Sequence, residues 1–382
     1  MTLFENHVKA LPSALAAALL CAATMPTTAL AQDAVTIGAA APLTGPRANL
    51  GRYFKQGVEL AVDEINKSGG VLGKPLKVVF EDDQADNPNV AINAVNKLVK
   101  MHKVTAFVGP HFSVAQLATQ KIYCDQAVSV TGASGVPVTS NGCKTVIRNR
   151  ANDNLQAKAL IEYARTSLKM DKIGVLSIND DFGKAGAQRV IEQIESVGLK
   201  PVAVVSHNPE DKDFSAQLAR LRDAGTQVVI MWTHDNEAAL IVRQAKQLGL
   251  NMKFAGSTSL SQPVFVKLAA EAGEGALSSS DFVPGNPDPA VQGFVKKYEG
   301  RTKTETELYA ATYYDATWLL AKAINEAKST EPMKIRAAFD KIRYTGVLAD
   351  YRCEANGDCN HQINIVEIQK GQPVVKTTVK FE

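Results

Sequence analysis

The sequence predicts an α/β protein built from two doubly wound parallel-sheet lobes joined by a three-crossing hinge, and three observations carry that expectation. From Val35 onward, short β-branched runs alternate with amphipathic stretches, the rhythm of a parallel sheet with helices on both faces. The same rhythm restarts after Asn152. A Pro- and Gly-rich break, "FVPGNPDP" from Phe282 to Pro289, then leads to helices without strands of their own and to a strand-turn-strand tail from Val347. Those helices need a sheet to cover and the tail needs a strand partner. Crossings between lobes near residues 150, 283 and 355 satisfy both, giving 32–152 plus 284–355 as one lobe and 153–283 plus 356–382 as the other. A hinge of that kind allows bending closure around a ligand.

Each element has its own signal. The run "LPSALAAALLCAATM" is too short to span a bilayer, and Ala29-Leu30-Ala31 is a small-residue cleavage site. Residues 1–31 are therefore expected to be a secretory signal peptide cut after Ala31, with the mature chain exported. What remains of the 382 residues exceeds the size one core usually serves. In the first lobe "VTIGAA" precedes a helix whose Val58, Ala61, Val62 and Ile65 share one face, and "LKVVFEDD" precedes a helix capped by Asn87 with Pro88 in its first turn. "VTAFVG", "AVSVTG" and "TVIRN" continue the strands. After Asn152 come "DKIGVLSIND", "KPVAVVSHN", "TQVVIMWT", "MKFAGST" and "GALSSSDF".

Of the five cysteines, Cys21 belongs to the leader. The other four can pair in three ways, and the sequence neighbours are the expected pairs, Cys124 with Cys143 and Cys353 with Cys359. The second would staple "CEANGDC", whose Asn356-Gly357 is a hairpin signal. No metal is expected, because no C-x-x-C occurs and no histidine stands at ligand spacing. The formal net charge of +3 is interspersed along the chain, which excludes a nucleic-acid footprint.

Ligands of open parallel sheets bind beyond the carboxyl ends of the strands. The segments there are "PLTGPRANLG", "GPHFSV", "TGASG", "NDDFG", "WTHDN" and "GSTSL", rich in Gly, Ser, Thr and aromatics and suited to a small polar solute. In "GPHFSVAQ", Ser113 stands where a helix begins, a place whose free N–H groups attract an anion. Motifs of catalysis and of cofactor binding fail: "GASG" has the wrong spacing for a nucleophile elbow, Pro75 breaks the P-loop likeness of "SGGVLGKP", and no G-x-G-x-x-G follows the first strand. The carboxylate pairs Asp82-Asp83 and Asp180-Asp181 fit helix caps or hinge hydrogen-bonders better than acid/base pairs. No enzymatic activity and no cofactor are expected.

These segments together, from "VTIGAAAPLTGPRANLGRYFKQGVELAVDEINKSGGVLGKPLKVVFEDD" through "DKIGVLSINDDFG", "DFSAQLARLRDAGTQVVIM" and "IVRQAKQLGL", resemble the type I solute-binding proteins of ABC importers, in the leucine/isoleucine/valine-binding branch. The resemblance covers essentially the whole mature chain. It implies a monomeric, periplasmic "Venus flytrap" that hands a small carboxylate-bearing solute, foremost a branched-chain or related amino acid, to a membrane permease. It implies ligand-carboxylate contacts from Ser113, from the backbone of Gly132 and from the hydroxyl of Ser134. It places aromatic positions at Phe182 and Tyr309 and a first-loop position at Leu50.

Two positions depart from the branch. Thr258 stands where an acidic residue pairs the ligand's ammonium, and His234 where a tyrosine is frequent; the branch's own disulfide positions fall on Ala85 and Phe112. A buried ammonium without a carboxylate costs several kcal/mol. Either another acid, Asp281 or Asp235, supplies the charge, or the ligand is an aliphatic or aromatic acid without an amine. Trp232 could stack on a ring and Arg47 could pair a second carboxylate. A periplasmic sensing module of the same fold is the remaining alternative.

Overall fold

Strands β1 (Val35–Ala41), β2 (Leu76–Asp82), β3 (Ala106–Val108), β4 (Val128–Thr131) and β5 (Val146–Arg148) form the first sheet, all parallel, in the order β2-β1-β3-β4-β5. The computed structural model describes residues 33–85 and 87–381, so the expected signal peptide and its cleavage site lie outside the described residues. Alternation along these strands feeds two cores. Ile37, Ala39, Ala106, Val108, Val128 and Val130 face one side, whereas Ala40, Phe107 and Val146 face the other. Both faces are covered by helices, the condition under which parallel sheets persist.

The second sheet contains β6 (Ile173–Ile178), β7 (Ala203–His207), β8 (Val228–Trp232), β9 (Lys253–Gly256) and β10 (Leu277–Ser280) in the parallel order β10-β9-β8-β6-β7. Both lobes therefore share one topology, with a switch point between the first and third strands. Ile173, Val175, Val228 and Ile230 feed one core here, and Leu176, Val229 and Met231 the other.

The tail differs from a simple strand-turn-strand. A small hairpin, β11 (Arg343–Thr345) with β12 (Asp350–Arg352), comes first; β13 (Gln362–Gln369) and β14 (Gln372–Lys380) then extend the second sheet antiparallel beyond β10. The β13–β14 turn is Lys370-Gly371, both at positive φ, as a two-residue hairpin loop demands. Asn356-Gly357 makes a turn rather than a hairpin: β12 and β13 lie in different sheets.

Three helices follow the second crossing, Pro289–Thr302, Leu308–Ala327 and Pro332–Phe339. The middle one is buried along most of its length, joining the core of the first sheet. It lies against the helix Ala48–Lys67 so closely that a Cβ on Gly57 would stand 2.2 Å from the Ala310 carbonyl oxygen. The helix Ala48–Lys67 buries Val58, Ala61 and Ile65, and leaves Val62 half-buried against the same core.

The crossings are tied by two buried arginines at the end of β5. Arg148 is fully buried; its Nε donates to Asp358 Oδ1 at 2.8 Å, and its Nη1 donates to the Ser134 and Gly135 carbonyls at 3.0 and 2.6 Å. Arg150 Nε donates to Asp281 Oδ2 at 2.8 Å. Asp281 Oδ1 accepts from the Ala151 N–H (2.8 Å) and from Asn360 Nδ2 (3.1 Å), so one carboxylate touches all three crossings. Two disulfides join Cys124 to Cys143 and Cys353 to Cys359, and the latter closes the loop that carries Asp358.

Removing one partner of a buried ion pair leaves an uncompensated charge, at a cost of about 3–5 kcal/mol. Asp358→Ala strands the Arg148 guanidinium and is expected to lower stability by about that amount, read from the urea midpoint at unchanged slope.

Candidate functional site

The switch points of the two sheets face one another, and the loops leaving β3, β4, β6, β8 and β9 meet there with the first crossing. The loop after β3 begins at Gly109, whose φ of +86° and whose Cβ position, 2.2 Å from the Ala40 carbonyl oxygen, admit only glycine. The helix Ser113–Tyr123 then starts with Phe112 as its N-cap, a side chain unable to accept a hydrogen bond. Its first N–H groups point their partial positive charge toward the cleft. Ser113 Oγ accepts from the Gly135 N–H at 3.1 Å, which leaves the Ser113 hydroxyl proton free to donate.

Six of the expected residues, Ser113, Ser134, Phe182, His234, Thr258 and Tyr309, line one cavity of about 60 Å³. Leu50 lines an adjoining space of about 30 Å³, reached past His234, Thr258 and Tyr309. Gly132 sits one layer behind the wall: its N–H donates to Tyr313 Oη at 3.4 Å and its carbonyl accepts from Arg150 Nη1 at 3.3 Å. Trp232 is a core residue, fully buried, with Gly186 so near that a Cβ there would stand 1.9 Å from its ring. Arg47 bridges the lobes, its Nη1 at 3.1 Å from Asp235 Oδ1.

Sequence reasoning missed His111, Phe112, Arg150, Asp180 as a wall residue, and Ser259, all of which line the main cavity. Arg150 is the most consequential. A guanidinium has five N–H groups; here Nε bonds Asp281, Nη1 bonds His111 Nε2 (3.4 Å) and the Gly132 carbonyl, and Nη2 bonds Thr258 Oγ1 at 3.0 Å. One Nη2 N–H is left without a protein acceptor among the described residues. Burial works against the cation, but the charge and hydrogen bond of Asp281 outweigh it and raise its pKa further. The signal in sequence was its place beyond the carboxyl end of β5.

His111 is the reverse case. Burial, and then the charge of Arg150, hold its pKa well below the ordinary imidazole value, so the ring is neutral. Because Arg150 can only donate, Nε2 accepts and Nδ1–H donates to Tyr313 Oη at 3.1 Å. Asp180 caps the helix Asp181–Ser196, accepting from the Gly183 N–H at 2.7 Å, and its other oxygen accepts from His234 Nε2 at 2.9 Å. Burial alone would raise the Asp180 carboxyl; His234, Gly183 and Arg47 together hold it below the usual carboxylate range. Rings of Phe182 and His234 stack at 5.1 Å, and His111 lies 4.1 Å from Tyr309, so the polar groups are set among flat apolar walls.

The arrangement is that of a two-lobed binding cleft with donors converging from both sheets. A family description, periplasmic binding protein, matches residues 34–373. The chain belongs to that family, whose members are periplasmic solute-binding proteins. A "Leucine-, isoleucine-, valine-, threonine-, and alanine-binding protein" of Pseudomonas aeruginosa is 29% identical over 354 residues, 92% of this chain and 94% of that protein. A leucine binding protein from Thermotoga maritima superposes with a TM-score of 0.83 at 27% identity, covering 91% of this chain and 99% of the other. A solute binding protein from R. palustris, solved with benzoate, has the same fold at 19% identity and a TM-score of 0.81, covering 91% and 97% of the two chains. These relatives are binding proteins and not enzymes, and the R. palustris protein is named as part of an ABC transporter.

Glu307 orients the helix that carries Tyr309. Its Oε1 accepts from the Ala310 N–H at 2.9 Å, and burial pushes its pKa up to about 8 against the pull of the Tyr309 and Ala310 N–H groups. A carboxyl with a folded-state pKa above its unfolded value binds an extra proton on folding, so stability falls as pH rises between the two values. Asp315, raised by burial to about 6, acts in the same direction. The unfolding midpoint is expected to rise as pH is lowered from about 8 toward 5, and Glu307→Gln to flatten the upper part of that slope, as read by calorimetry.

Proposed function

We propose that this protein is the extracytoplasmic solute-binding component of an ABC importer, taking a small carboxylate without an ammonium group and delivering it to a membrane permease. The observation that carries the ligand class is the hydrogen-bond polarity around Thr258. Thr258 Oγ1 accepts from Arg150, which leaves its O–H and one lone pair for a ligand, beside the remaining Arg150 N–H. An ammonium placed there would find one hydroxyl lone pair against the like charge of Arg150, and the carboxylate on the cavity wall, Asp180, is already shared by Gly183 and His234. Of the acids named from sequence, Asp281 is engaged by Arg150, Ala151 and Asn360, and Asp235 by Arg47. A carboxylate, by contrast, is met by Ser113, by the helix N-terminus behind it and by Arg150, while its body lies among Phe112, Phe182 and Tyr309. The reading includes lobes of 32–152 plus 284–355 and of 153–283 plus 356–382, cleavage after Ala31, and a monomer in solution.

A second reading keeps a branched-chain or related amino acid as ligand. Asp180 favours it: the carboxylate lines the cavity, and each of its oxygens has a lone pair beyond the bonds to Gly183 and His234. The binding named for the Pseudomonas relative agrees with it.

Thermal unfolding of protein freed of ligand by unfolding and refolding separates the two. At 100 times its dissociation constant a ligand adds about 2.7 kcal/mol to native stability. Amine-free aliphatic or aromatic acids are expected to raise the midpoint and the matching amino acids to leave it unchanged. Ser113→Ala is expected to weaken that binding roughly tenfold by removing a charge-assisted hydrogen bond. If amino acids alone raise the midpoint and Asp180→Asn abolishes the effect, the second reading holds.

A further inference from the structure

A larger cavity of about 830 Å³ lies beside the second crossing, within the roughly 300–1,000 Å³ usual for small-molecule sites. Its walls come from both lobes. Val266 and Val374 stand on the side of the second sheet, Leu308 on the side of the first, and Phe282 and Pro284 on the crossing between them. These make an apolar trough. Three glutamates share the segment that closes its other side, Glu299, Glu305 and Glu307, against one lining cation, the exposed Lys267.

Glu307 singles out the chemistry. It is 3% exposed, and while Oε1 caps the helix Leu308–Ala327, Oε2 is buried with no hydrogen-bond partner among the described residues. A buried carboxyl oxygen without a partner is costly, and a donor in the cavity would remove that cost once the Glu307 carboxyl turns toward the trough it lines. Glu299 is tied down, its Oε1 accepting from the Thr306 N–H and O–H at 3.2 and 2.9 Å. Glu305, exposed at the rim, adds negative potential without blocking the trough.

We propose that this cavity is a second binding site, for an amphipathic amine whose protonated nitrogen meets Glu307 and whose short apolar body lies against Phe282, Pro284, Leu308 and Val374. The site is distinct from the cleft, and its own contacts are the same whichever solute that cleft holds. Because its walls belong to both lobes, and because Leu308 and Gln262 also line the small space over Tyr309, its occupancy biases lobe closure. By linkage the cleft ligand then alters amine affinity by the same factor. Glu307 is held protonated near neutral pH, with a pKa of about 8, so the arriving ammonium displaces the carboxyl proton to the buffer.

The test is isothermal titration of the ligand-stripped full chain with phenethylamine at pH 7, in phosphate and in Tris. One saturable site is expected, with heats that differ between buffers as proton release requires. The uncharged 3-phenylpropan-1-ol and the variant Glu307→Gln are each expected to bind roughly tenfold more weakly, the loss typical of a charged hydrogen bond. Gly285→Trp gives a second, independent check, since a Cβ at Gly285 meets nothing within 4 Å and the ring would fill the trough. Ser113→Ala should leave amine binding intact. No saturable heat up to about 10 mM, equal affinity for the alcohol, wild-type binding by both Glu307→Gln and Gly285→Trp, or loss of binding in Ser113→Ala would each overturn the proposal.

Discussion

The arrangement of the lobes depends on a pair of buried guanidiniums two residues apart. Arg148 and Arg150 leave the end of β5 as the chain begins its first crossing, and each finds its carboxylate on a different later crossing, Asp358 and Asp281. A buried arginine is tolerated only if its charge is matched and its donors are filled. Meeting that demand fixes where the second and third crossings must run. The cystine between Cys353 and Cys359 shortens the loop bearing Asp358. Gly357, at positive φ with the Val146 carbonyl oxygen 2.2 Å from where a Cβ would be, lets that loop lie directly on β5. Three strands of chain thus behave as one hinge because two charges must be neutralised in the same small volume.

The same two arginines reach the cleft. Arg148 holds the carbonyls of Ser134 and Gly135, and so positions the loop that offers the Ser134 hydroxyl. Arg150 lies on the cavity wall itself. The charge balance of the cleft follows: Arg150 is offset by Asp281, Arg47 by Asp235, and His111 stays neutral beside them. What lines the cleft beside these pairs is a set of hydroxyls and the Arg150 guanidinium, with Asp180 on the wall held by His234.

Much of the fold was legible in the chain because its signals are local. Strand alternation, the Asn87-Pro88 helix start and the break at Phe282–Pro289 each occupy a few consecutive residues, and each gave an element where one stands. The loops beyond the strand ends were legible for the same reason, and the family resemblance placed Ser113, Ser134, Phe182, His234, Thr258 and Tyr309, which line the cavity. The hydrogen bonds that define the cleft's charge were not legible. Arg148 meets Asp358 across 210 positions and Arg150 meets Asp281 across 131, and no periodicity links such pairs. Asn356-Gly357 misled in the opposite way: its local preference for a tight turn was met, but the strands on either side went to different sheets.

The place of the Arg150 cation on a crossing has a consequence for closure. Arg150 belongs to the hinge, so it can contact His111 and Gly132 of the first lobe and Thr258 of the second together only when the lobes are near one another. A ligand shifts such an equilibrium only by the affinity difference between the two states. On the proposed reading, a carboxylate would take the last Arg150 N–H, the Ser113 hydroxyl from one lobe and the Thr258 hydroxyl from the other, a set of donors brought together only when the lobes are close. On the same reading, an ammonium there would meet the like charge of the guanidinium most strongly in that state. On the proposed reading, selectivity for the solute's charge and closure on it would both run through one side chain, Arg150.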